Sequence, residues 1–136
     1  MLFASTALAA RIERAECRLL ADSAAAAEKR RPGSGVFAMR LAGGMATFTA
    51  SGSPLNKVAG LGLAGPLAAG QLEAVEKAFA ERGSPVQAEV SSLADPSVVR
   101  LLAGRGYVLQ GFENVSGQSL PADIPTPTPS GLEIAV

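Results

Sequence analysis

Histidine and tryptophan are absent from this chain, cysteine occurs once, and the twelve basic residues are balanced by twelve acidic ones. Without histidine the commonest general base and the commonest metal ligand are both missing, so no catalytic residue and no metal ligand set is assigned. A single cysteine cannot close an internal disulfide, which excludes the framework of a secreted mini-protein. Cys17 lies between Glu16 and Arg18 in a helical stretch, and with no histidine to activate it, it reads as a packed, inert thiol. The charge balance gives no basic field for nucleic acid or for an anionic membrane surface, so neither is expected as a partner. No apolar run reaches the length of a membrane span.

What is present is a chain of 136 residues, 48% hydrophobic and 18% charged, which suits one globular domain with a real core. Leu2–Ala10 is a short apolar run, and Ala7-Leu8-Ala9 imitates a signal-peptidase site. No Lys or Arg precedes it and Arg11 opens a charged helical pattern, so a secretory signal is not the reading and a soluble cytoplasmic protein is expected.

Leu8, Ile12, Ala15 and Leu19 form one helical stripe within a helix expected from about Ser5 to Ala27, with Arg11, Glu13, Arg14, Glu16 and Arg18 on its other faces. The basic run Glu28–Arg31 and then Pro32-Gly33 end it. From Val36 to Leu41 the period becomes two, Gly43-Gly44 reads as a hairpin turn, and Met45–Ala50 returns. A third strand is expected over Asn56–Leu63, with Gly60 and Gly62 on one face where a backbone or a ligand comes close. Gln71–Arg82 reads as a helix with Leu72, Val75 and Phe79 inward, a Glu73–Lys77 pair and Gly83 as a cap. Val86–Ser91 alternates as a strand. Asp95-Pro96 starts a helix that buries Val98, Val99, Leu101 and Leu102, and Tyr107–Val115 reads as a last strand. The fold class is therefore α/β (α+β), a central mixed sheet with an antiparallel N-terminal hairpin region flanked by three helices. Residues 1–117 make the domain, the proline-rich stretch 118–131 a stiff linker, and 132–136 the start of a second, missing domain.

That order, with the phrases Ala94-Asp95-Pro96 through Arg105-Gly106-Tyr107 to Gly111–Val115 and Ser53–Gly62 (SPLNKVAGLG), resembles the GNAT acetyltransferase superfamily, and in particular the N-terminal half of tandem GNAT proteins. The resemblance spans about Ala10 to Leu120. It implies a GNAT-like sheet and, for the whole family, acetyl-CoA as cofactor. Family members with activity carry an Arg/Gln-x-x-Gly-x-Gly/Ala loop at a helix N-terminus, where free N–H groups meet the pyrophosphate. Here the matching stretch is Ala64–Gly70. Ala64 stands for the Arg or Gln, Leu67 for the first glycine, and Pro66 removes an N–H. The tyrosine that often serves as general acid falls on Leu102. No cofactor is therefore expected on this chain, and any remaining cofactor surface would be Leu61, Gly62, Leu63 and Gly65.

Gly60-x-Gly62-x-x-Gly65 is set aside as a dinucleotide fingerprint because no helix opens at once and no suitable acid follows. Asn56-Lys57 reads as turn-exit and surface residues, Glu89 as a solvated or paired carboxylate, and Glu113-Asn114 likewise, with an interdomain contact as the sharper option. Three functions are weighed. The chain is the non-catalytic half of an N-acetyltransferase whose partner is a C-terminal GNAT domain, a stand-alone binding or dimerising module, or a divergent acetyltransferase. A reading frame continuing into the acetyl-CoA motif would separate the first from the others.

Overall fold

The computed structural model describes residues 4–120, so most of the expected linker and the segment 132–136 lie outside the described residues. Its elements are α1 (Thr6–Arg30), β1 (Phe37–Leu41), β2 (Gly44–Phe48), β3 (Lys57–Ala59), α2 (Ala69–Ala80) and α3 (Pro96–Gly104). The fold is mixed α and β, with three helices and an antiparallel sheet in the order β1-β2-β3.

The hairpin turns one residue earlier than the glycine pair suggests. Leu41 pairs with Gly44, so the turn residues are Ala42 and Gly43, with φ of 46° and 81°. Both left-handed angles match the strand twist that a two-residue hairpin needs. Gly44 instead serves as a strand residue, because a Cβ there would sit 2.3 Å from the Ala59 carbonyl oxygen. All five residues of β2 are buried, as expected of a central strand covered on both faces.

One face of the sheet carries the main core. Leu41, Ala46, Phe48 and Val58 meet Leu72, Val75 and Phe79 of α2 and Val98 and Leu102 of α3, with Leu61 and Leu67 filling in from the loops. Phe37, Phe48 and Phe79 form an aromatic cluster, with centroids 5.1 Å apart edge to face for Phe37 and Phe79. Arg82 lies over the Phe37 ring at 4.8 Å and donates to the carbonyls of Gly35 and Ala78, closing the start of β1 against the end of α2. The inward face expected for α2 is the one observed. Asp95 caps α3, its carboxylate accepting from the Ser97 N–H at 2.8 Å, with Pro96 at the first helical position. Val99, expected inward, is exposed.

The other face is covered by α1, and here the expected stripe is rotated. Ile12, Ala15 and Leu19 point outward, with Leu19 53% exposed, while Leu20 and Ala24 are buried and Glu13, Glu16 and Cys17 are half-buried. The residues on that seam are small or polar because they meet backbone at close range. A Cβ on Gly60 would sit 2.5 Å from the Cys17 sulfur and 3.1 Å from Gly44 Cα.

Three strand expectations change. β3 ends at Ala59, because Gly60 (φ 77°) turns the chain so that Leu61 drops into the core. The strand expected at Val86–Ser91 is reduced to one parallel bridge, Val58 to Ala88, so the mixed character of the sheet rests on that bridge. Tyr107–Val115 forms no strand. Its backbone finds no neighbouring strand among the described residues, and beyond Tyr107 its side chains are exposed. The pair expected between Glu73 and Lys77 is not formed within ion-pair distance among the described residues, where Glu76 instead meets Arg105.

Candidate functional site

The stretch that would hold a pyrophosphate lies between β3 and α2. Its central feature is Leu67, a buried member of the main core. With its side chain anchored inward, the loop is held as a hydrophobic plug rather than as a concave row of N–H groups. Pro66 offers no N–H, and Gly65 (φ 117°) is exposed with open space around it. At the start of α2 the Gln71 side chain reaches back to accept from the Ala68 N–H at 3.2 Å, so the helix entrance satisfies part of its own donor set. No acidic or basic side chain stands in the first turn.

The four residues read as a possible cofactor surface are divided by the fold. Leu61 is in the core and Gly62 is buried under the start of α3, where a Cβ would meet Val98 Cγ2 at 2.8 Å and the Asp95 nitrogen at 3.0 Å. The Gly62 carbonyl accepts from the Asp95 N–H at 2.8 Å, which fixes α3 against the turn after β3. Only Leu63, half-buried, and Gly65 remain accessible. The close approach read from Gly60 and Gly62 is thus taken up by the chain's own atoms. Glycine spacing alone could reveal the closeness, but not the identity of the neighbour.

Charged groups gather at the junction of α1, β3 and the 86–90 segment. Lys57 is held between Glu16 at 2.7 Å and Glu89 at 3.0 Å. Burial disfavours its ammonium, but the hydrogen bonds to both carboxylates outweigh it and the pKa is raised. Glu13 accepts from the Gly60 N–H at 2.8 Å, and burial raises its pKa above the usual carboxylate range despite that bond. The Cys17 thiol donates to the Ala59 carbonyl at 3.6 Å, and burial pushes its pKa up, followed by the charge of Glu13. A thiol held protonated beside two carboxylates is a poor nucleophile. This junction fastens α1 to the sheet. Asn56, read as a surface residue, is buried and clamps the turn between β2 and β3: its Oδ1 accepts from the Thr49 N–H at 2.8 Å and its Nδ2 donates to the Ala50 carbonyl at 2.6 Å.

An open cleft of about 650 Å³ lies beside that turn, with Ser23, Arg30, Arg31, Thr49 and Ser53 in its wall. The Thr49 hydroxyl is already bonded to Ser53 at 2.7 Å, and the two arginines stand at the negative end of the α1 dipole. Nothing in the wall pairs a base with a nucleophile. Among the described residues no group of three or more Cys, Asp or Glu side chains could hold a metal ion, and no helix is long and apolar enough to cross a membrane.

The remaining unusual surface is the far end. Arg105 grips Glu76 with its guanidinium, which holds the Glu76 carboxyl below its ordinary pKa. Tyr107 packs on the core with its hydroxyl buried beside Glu76, and burial first, then that charge, pushes its pKa up to about 12. Past this anchor, Glu113 and Asn114 are exposed together with Leu109 and Phe112. No family model, no curated protein and no solved structure matches this chain.

Proposed function

We propose that this chain is a non-catalytic domain of the GNAT type, supporting a catalytic half that carries acetyl-CoA, and that it does not itself bind the cofactor. The observation that carries the reading is Leu67, buried in the core at the position where the resemblance calls for the first glycine of the pyrophosphate loop. Turning that loop into a cradle means withdrawing a large apolar side chain from the core, at about 1.5–3 kcal/mol. Losing two charge-assisted hydrogen bonds to pyrophosphate, at about 1.5–3 kcal/mol each, moves a site of about 10 μM into the millimolar range.

The test is thermal unfolding with about 1 mM acetyl-CoA. A site of about 10 μM would add about 2.7 kcal/mol and raise the melting temperature by several degrees. No shift is expected. A rise of that size, abolished by Gly65→Phe, would overturn the reading in favour of a divergent enzyme. The open segment after α3 favours a second reading, a stand-alone module that works by binding another polypeptide.

A further inference from the structure

We propose that Tyr107–Val115 of one copy of this chain adds as a parallel strand to the open edge Val86–Val90 of a second copy, and reciprocally, giving a strand-exchanged homodimer. The proposal holds under either functional reading, because it stands on the sheet edge and not on the resemblance.

The edge is defined by two hydrogen bonds. The Val58 N–H donates to the Gln87 carbonyl and the Val58 carbonyl accepts from the Glu89 N–H, both at 2.8 Å. These bonds hold the segment parallel to β3 with its side chains Val86, Ala88 and Val90 packed on the core. Backbone groups alternate in direction along a strand, so the Ala88 N–H and carbonyl point away from β3, and among the described residues neither has a partner. An edge of this kind is a template for another strand.

The complementary strand is present in the same chain and is equally unpaired. Residues 108–120 make no backbone hydrogen bond among the described residues, and Leu109 and Phe112 are 70% and 90% exposed, with Val108 and Val115 similarly bare. Tyr107, Leu109 and Val115 fall on one face of an extended segment, and Val108 and Phe112 on the other. That pattern suits a strand covered on both sides rather than a solvated tail. Sequence order supports the pairing direction: segment 86–90, α3 and segment 107–115 form a strand–helix–strand unit, whose ordinary closure is parallel pairing through a helical crossover.

The root of the segment decides for a second copy. The Tyr107 N–H bonds to the Leu102 carbonyl at 3.1 Å, and the Arg105–Glu76 grip ties the chain two residues earlier to α2. From that anchor residues 108–120 run into solvent, and among the described residues nothing occupies the chain's own edge. The described part of each copy therefore offers one open edge and one unpaired strand. A two-fold exchange fills both at once with the same chemistry, and needs no further partner.

The experiment is sedimentation of the full chain from about 1 to 100 μM, with hydrogen exchange at both ends of that range. A dimer is expected, with protection of the Ala88 amide and of residues 108–115 that rises with concentration. Leu109→Asp combined with Phe112→Asp alters side chains that are solvated in the monomer, so its circular dichroism should match the parent at low concentration. This variant should raise the dimer dissociation constant at least tenfold. A monomer throughout, a dimer that survives both substitutions, or protection of 108–115 in a sample that sediments as monomer would each overturn the proposal. The last of these would mean that the strand closes on its own copy. Acetyl-CoA binding is read separately, so a failure here leaves the non-catalytic reading standing, and the reverse.

Discussion

On the face covered by α2 and α3 the sheet is joined by large side chains, with Phe48, Leu72, Val75, Phe79 and Val98 all buried together. On the face covered by α1 the buried apolar residues include Leu20, Ala24, Met45 and Ala59, and much of the joining is done by polar contacts, Glu13 to the Gly60 N–H and Lys57 to Glu16. The first face is held by apolar area, which is non-directional and tolerates small shifts. The second is held by closeness of backbone, which a single added carbon disrupts. One sheet thus rests on two different kinds of adhesion, and substitutions should fail differently on each.

The largest effect is expected on the apolar face. Phe79 is fully buried between two other rings, and Phe79→Ala should cost about 3–5 kcal/mol, read from the urea midpoint at unchanged slope. A loss under about 1 kcal/mol would mean that the aromatic cluster is not the centre of the core.

On the α1 face the sensitive position is a glycine. Gly60→Ala places a Cβ against the Cys17 sulfur on a left-handed backbone, with about 1–2 kcal/mol from the dihedral and about 1–3 kcal/mol from overpacking. Adding Cys17→Ala should return part of that loss, because it removes the sulfur but not the Gly44 backbone behind it. Strictly additive effects would break the picture of a thin seam.

The smallest effect distinguishes the faces by pH. Glu13, on the α1 side, has its pKa raised by burial, so its stabilising contribution is present in acid and lost as pH rises through the folded-state value. Glu76, on the α2 side, has its pKa lowered by Arg105, so its contribution is present at neutral pH and lost as pH falls. At pH 7 Glu13→Gln should melt slightly above the parent and Glu76→Gln slightly below it, with both gaps closing towards acid. Gaps of the same sign would contradict the assignment.

The same contrast explains what could be read in advance. The inward face of α2 was legible because Leu72, Val75 and Phe79 are its large apolar residues and share one stripe. On α1 the stripe Leu8, Ile12, Ala15 and Leu19 looked apolar, yet the buried seam lies one residue round, through Glu13, Cys17, Leu20 and Ala24. Hydrophobic periodicity assigns Glu13 to solvent, since it cannot register that Gly60 presents an N–H in need of an acceptor. Tyr107–Val115 has the composition of a strand, but a strand exists only with a neighbour, and pairing is a long-range property. At the candidate site Pro66 and Leu67 were visible as departures, whereas the burial of Leu67 depends on a core assembled from distant segments.

The length of α1 has one further consequence. Its 25 residues extend about 38 Å, while its seam with the sheet runs only from Glu13 to Ala24. Beyond Ala24 the helix is held by local means: Lys29 and Arg30 at the negative pole, the Arg31 N–H on the Ala27 carbonyl, and the Gly33 N–H on Glu28. The middle of the helix is fastened by packing and by half-buried polar contacts, which salt screens little, and its end by exposed charges, which salt screens most. Added salt should therefore loosen the end of the helix before its middle.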